Sequence, residues 1–157
     1  MEQFIGNLNN FLARYKSINQ ETYYEITGYI RNQLNKQGVV VIYPAYNETN
    51  GKYKFLMEVR NQRYNKFNKK ASGTIFKIDP VNMKAKYINI GSASFIYSNK
   101  LSTLNINDYK IYPLQDGTVI NLYYDDDHKE WMFATKKSMD VRNKVWRGHS
   151  YQEIVTE

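Results

Sequence analysis

The sequence of 157 residues contains no cysteine, and only three prolines, two histidines and eight glycines. Without thiols there is no disulfide framework, no cysteine nucleophile and no zinc ribbon. His128 and His149 are widely separated and have no nucleophile motif around them, so neither a His-based metal centre nor a catalytic triad is expected. No metal ion or cofactor is expected. Long apolar runs are missing as well. The longest, Val39-Val40-Val41-Ile42, is far too short to cross a bilayer, and the first residues lack the pattern of a signal peptide. These absences predict no membrane insertion and an intracellular, reducing location.

Acidic residues are in the minority, 15 against 22 Lys and Arg, which gives a net charge of +7. A basic chain rich in aromatic residues suits single-stranded nucleic acid, where cations meet phosphates and rings stack on bases. A solvated surface written in Lys and Asn is the plainer explanation. The 18 Asn and 15 Tyr beside three Pro resemble the codon bias of an AT-rich genome as much as a selected surface.

The apolar pattern changes period once. Phe4, Ile5, Leu8, Phe11, Leu12 and Tyr15 recur at helical spacing, and Asn19 or Ser17 can cap a second helix carrying Tyr23, Ile26, Tyr29, Ile30 and Leu34, with Gly38 as its stop. From Val39 the period becomes two. Three hairpins are predicted: Val39–Tyr46 with Tyr53–Arg60, Thr74–Ile78 with Ala85–Ile90, and Thr118–Tyr124 with Trp131–Thr135. The expected fold is α+β, with N-terminal helices followed by a mainly antiparallel sheet. One domain is expected over 1–157, helical over 1–38, sheet over 39–147 and a tail over 148–157.

Charge is concentrated in two segments. Lys52, Lys54, Arg60, Arg63, Lys66, Lys69 and Lys70 lie in one stretch with a single acid, Glu58, and are interleaved with Tyr53, Phe55, Tyr64 and Phe67. Lys136, Lys137, Arg142, Lys144 and Arg147 form the second. Both are candidate phosphate-contacting surfaces, although lysines on a strand edge also discourage edge-to-edge pairing. The acidic run Asp125-Asp126-Asp127 with His128 lies where the third hairpin must turn. Asp is a turn residue for local hydrogen-bonding reasons, and no EF-hand spacing follows, so an exposed turn is expected rather than a metal site.

One constellation carries chemistry. Leu114-Gln115-Asp116-Gly117-Thr118 followed by a hairpin ending in Ala134-Thr135-Lys136-Lys137-Ser138 resembles the phage-type ATP-dependent RNA ligases of the covalent nucleotidyltransferase superfamily. Their nucleophile motif reads Lys-x-Asp-Gly-Ser/Thr, and a Lys-x-Lys segment follows it. Upstream, Ala71-Ser72-Gly73-Thr74-Ile75-Phe76-Lys77-Ile78-Asp79 is similar to the family's Arg-Gly-hydrophobic-Phe-Glu strand, and Ser94-Phe95-Ile96-Tyr97-Ser98-Asn99 falls where a Lys-Phe-Phe-Asn segment is expected. The resemblance covers about residues 39 to 147 and implies the N-terminal half of an adenylation domain. The same pattern also resembles proteins of large DNA viruses.

The departures from the family pattern bear on function. Lysyl-adenylate chemistry needs an amine at the nucleophile position, and this position is Leu114. The family's phosphate-binding Arg and Lys correspond to Ser72 and to Ser94 or Phe95, while Asp116, Gly117 and Thr118 keep the turn into the strand. The family's later metal-binding glutamates and lysine pair are expected to be missing from 157 residues. The resemblance therefore implies a non-catalytic structural or binding protein on a ligase-like half-domain, such as a virion or capsid-associated component, that works through a protein partner or self-assembly. Single-stranded nucleic-acid binding through 52–70 and 136–147 is the first alternative. A ligase fragment with residual nucleotide binding is the second.

Overall fold

The helical period before Val39 and the two-residue period after it become separate layers. The computed structural model describes residues 1–42, 53–59, 67–91 and 119–156. Helices α1 (Glu2–Leu12) and α2 (Gln20–Asn35) precede strands β1 (Val39–Ile42), β2 (Lys54–Val59), β3 (Ile75–Asp79) and β4 (Lys84–Asn89), with the short α3 (Asn68–Ala71) before β3. The four strands form one antiparallel sheet in sequence order. A hairpin of β5 (Asn121–Asp125) and β6 (Glu130–Ala134) follows, then a ribbon of β7 (Val145–Trp146) and β8 (His149–Ser150), and helix α4 (Tyr151–Thr156). The α+β class, with helices first and antiparallel strands after, is the one expected. No helix among the described residues is long and apolar enough to cross a membrane.

Helix α2 begins where Asn19 offers a cap. The Asn19 side chain accepts from the Thr22 amide at 2.9 Å, and the Thr22 hydroxyl accepts from the Asn19 amide at 2.8 Å, a reciprocal capping box. Past its end, Gly38 takes φ +71°, a left-handed conformation that a Cβ would strain.

Alternation along the strands divides the apolar residues between two cores. Phe55, Met57, Phe76, Ile78 and Ala85 face Phe4, Leu8, Leu12, Ile26, Ile30 and Leu34 of the helices. Phe55 and Phe76 stack at 5.0 Å, and Phe4 meets Phe76 edge-on at 5.5 Å. The alternate residues Leu56 and Ile75 pack on the opposite side against Tyr123, Met132 and Ala134 of the β5–β6 hairpin. Strand β2 is thus covered on both sides, which is why four consecutive residues, Lys54 to Met57, are buried. Each fully buried Leu, Ile or Phe contributes about 1.5–3 kcal/mol relative to exposure.

The hairpins β3–β4 and β5–β6 turn in the same way. The last strand residue is an aspartate whose side chain accepts from the backbone two residues on: Asp79 from Val81 at 2.9 Å and Asp125 from Asp127 at 3.0 Å. Four residues on, the chain is left-handed, at Met83 (φ +51°) and Lys129 (φ +58°), and the returning strand begins. Asp79 then opposes Lys84, and Asp125 opposes Glu130. On β4, the side chain of Asn9 from α1 accepts from the Ala85 amide at 2.6 Å and donates to its carbonyl at 3.3 Å, tying helix layer to strand.

Residues 148–157 were expected to be a tail. Within them, β8 pairs with β7, and α4 starts at a second capping box, in which Ser150 and Glu153 each accept from the other's backbone amide at 3.2 and 2.7 Å. Ser-x-x-Glu is a sequence-level signal for this helix start.

Candidate functional site

Lys54, Lys77 and Lys86 are directly opposite one another across β2, β3 and β4. Strand alternation puts all three on the side of the sheet that the β5–β6 hairpin covers. Three like charges in a cross-strand row repel, and the acidic turn supplies their counter-ions. Lys54 Nζ lies 2.5 Å from Asp125 Oδ2 and 3.1 Å from Asp127 Oδ2, Lys77 pairs with Asp127, and Lys86 Nζ lies 3.2 Å from Asp126 Oδ2. His128 Nδ1 is 2.7 Å from the same Asp125 oxygen.

Burial raises the pKa of Asp125, but hydrogen bonds from Lys54, then from His128 and the Asp127 amide, outweigh it and bring the carboxyl down to about 2. Asp127 is also lowered, because the hydrogen bonds from Lys77 and Lys54 outweigh its own desolvation. A cleft of about 1120 Å³ opens beside the row, lined by Asn9, Tyr53, Lys77, Lys84, Lys86 and His128 among others. Its lining contains no Ser, Thr or Cys. The Asp125–His128 pair orients an imidazole but presents it to no nucleophile among the described residues. Within those residues no cluster of three or more His, Asp or Glu has metal-binding geometry.

The structure revises two members of the basic set. Lys54 was grouped with the phosphate-contacting residues, yet it is 4% exposed and held by two carboxylates. Arg142 is bound by Asp140 at 3.0 Å and Glu130 at 2.7 Å, hydrogen bonds that raise its pKa further, and so has no charge to spare. Asp125, read as part of an exposed turn, is instead buried at the end of β5. The sequence signal for all this is the two-residue spacing that puts Lys54 on the same strand face as the buried Leu56.

Among the remaining candidates, Lys70, Lys136, Lys137, Lys144 and Arg147 are exposed, and Lys69 lies in α3. Lys136 and Lys137 occupy the turn closed by the Thr135–Ser138 bridge, just past β6. Ser72 is half-buried between α3 and β3. Lys52, Arg60, Arg63, Lys66, Ser94, Leu114, Asp116, Gly117 and Thr118 lie outside the described residues.

The solvent side of the β5–β6 hairpin had not been singled out from the sequence. Tyr124 and Trp131 oppose each other there with ring centroids 5.7 Å apart, and Leu122 lies two residues before Tyr124. All three are exposed, by 43, 59 and 50% respectively.

No family model matches the chain, and no solved structure matches it. A stretch of 55 residues is 38% identical to African swine fever virus proteins named "Putative RNA-ligase", in tick isolates from Malawi and South Africa and in the Badajoz strain. The aligned stretch covers 32% of this chain and 12% of each of those proteins. Over about a third of its length, the chain is therefore similar to viral proteins that carry a ligase name.

Proposed function

We propose that this chain is a non-catalytic binding module built on a ligase-like half-domain. The observation that carries this reading is Leu114 in the Leu114-x-Asp116-Gly117-Thr118 motif, where the chemistry requires a nucleophilic amine. The similarity to the viral proteins supports the ligase ancestry. Such a module serves as a scaffold or contact surface, in a virion or in another assembly. Incubation with radiolabelled ATP and Mg²⁺ followed by denaturing electrophoresis tests the reading. No covalently labelled protein is expected, and a labelled band would contradict it.

A further inference from the structure

Charge in the 119–150 segment is unevenly settled. Each of its five acids is engaged: Asp125, Asp126 and Asp127 with the lysine row, Glu130 and Asp140 with Arg142. Lys129, Lys136, Lys137 and Lys144 are exposed and form no ion pair among the described residues. The segment thus presents cations whose counter-charge is not supplied from within it. Lys129 stands in the turn at one end of the β5–β6 hairpin, and Lys136 and Lys137 stand just past the other end. Between them lie the rings of Tyr124 and Trp131.

Open rings bounded by unpaired cations match a ligand that carries flat π-faces and regular negative charge. We infer that the outer face of the β5–β6 hairpin, centred on Tyr124 and Trp131 and flanked along the chain by Lys129, Lys136 and Lys137, is a stacking platform for single-stranded nucleic acid. The inference rests on reading the chain as a binding module and names the ligand class. Charge complementarity favours this occupant over an apolar protein surface, because the latter would leave the exposed lysines at the two ends of the hairpin unmatched.

The test uses the intact chain carrying Trp146→Phe, which leaves Trp131 as the one tryptophan of the two in the sequence. Titration with an oligouridylate of about 12 nucleotides is expected to quench Trp131 emission. The logarithm of affinity should fall with the logarithm of salt concentration with a slope of about −2, the value for three lysine contacts to a single strand. In the otherwise unaltered chain, Tyr124→Ala and Trp131→Ala should each weaken binding of a dye-labelled oligonucleotide about tenfold, with the circular dichroism spectrum unchanged. Absence of quenching at about 50 mM salt would overturn the inference, as would binding retained by both alanine variants. Self-association that Trp131→Ala abolishes, without oligonucleotide binding, would also overturn it and assign the face to a second copy of the chain. Because this assay reads no adenylate, its failure leaves the loss of catalysis standing, and a covalent adenylate would contradict that loss separately.

Discussion

Lys54 and Asp125 are 71 positions apart in sequence and form a buried ion pair, Nζ to Oδ2 at 2.5 Å, between the central strand β2 and the end of β5. Both partners are almost wholly out of water, and each has one further, more exposed partner, Asp127 for Lys54 and His128 for Asp125. Asp125→Ala should destabilise the fold by about 1.5–3 kcal/mol, because Lys54 loses its buried charge-assisted hydrogen bond and keeps the half-exposed Asp127 as counter-ion. The double variant Lys54→Met/Asp125→Leu should recover most of that loss. Urea unfolding of the single and double variants measures both effects, and equal destabilisation of the two would show that the pair is not what holds the hairpin to the sheet.

The same pair sets an acid limit. Asp125 titrates near 2 in the folded chain against 3.8 as its ordinary value, and Asp127 is shifted in the same direction. A depressed folded pKa means that the unfolded chain binds the proton first. The stabilisation is therefore complete above about pH 4 and falls away between there and about pH 2. Chemical denaturation across that window should show stability dropping with pH, and Asp125→Asn should flatten the drop.

Lys129 occupies a left-handed position, φ +58°, in an exposed turn. A side chain there costs about 1 kcal/mol that glycine avoids. Lys129→Gly should raise the melting temperature, despite the greater freedom of glycine in the unfolded chain. Met83, at φ +51° in the matching turn, is buried, and Met83→Gly should lower the melting temperature because the lost packing outweighs the relieved strain.

Gly91 permits a close backbone approach. A Cβ at this position would collide with the carbonyl oxygen of Ser72 and come within 2.8 Å of the Thr74 nitrogen, and both obstacles are backbone atoms. Gly91→Ala should cost more than about 1 kcal/mol, beyond the range of ordinary surface substitutions, and should break the bond from the Gly91 amide to the Thr74 hydroxyl at 2.8 Å. Thermal unfolding of Gly91→Ala checks this, and a melting temperature equal to that of the unaltered chain would show that the approach is looser than described.

Local signals made much of the fold legible. Period 3.6 up to Leu34, period two after Val39, the Asn19 cap and the two aspartate-led turns each depend on neighbours within a few residues. Lys54 was misjudged because its burial depends on a partner 71 residues away, and charge counts along the chain do not register such pairing. The acidic turn was located correctly, but its role as counter-ion to the lysine row follows from the cross-strand register of β2, β3 and β4. Tyrosine content marks Tyr124, with many others, as suited to an interface, but it does not separate Tyr124 from the tyrosines that fill the sheet faces, and it does not single out Trp131. Their shared face is turned away from the sheet because Tyr123 and Met132, the alternate residues, fill the inner core.

The loss of covalent nucleotide transfer is tested most directly by labelling. The chain, with Lys110→Ala, at the lysine four residues before Leu114, and Lys136→Ala variants beside it, is incubated with radiolabelled ATP and Mg²⁺ and resolved on a denaturing gel. No band is predicted in any lane. A band in the unaltered chain that vanishes in Lys110→Ala or Lys136→Ala would identify a working nucleophile and contradict the account.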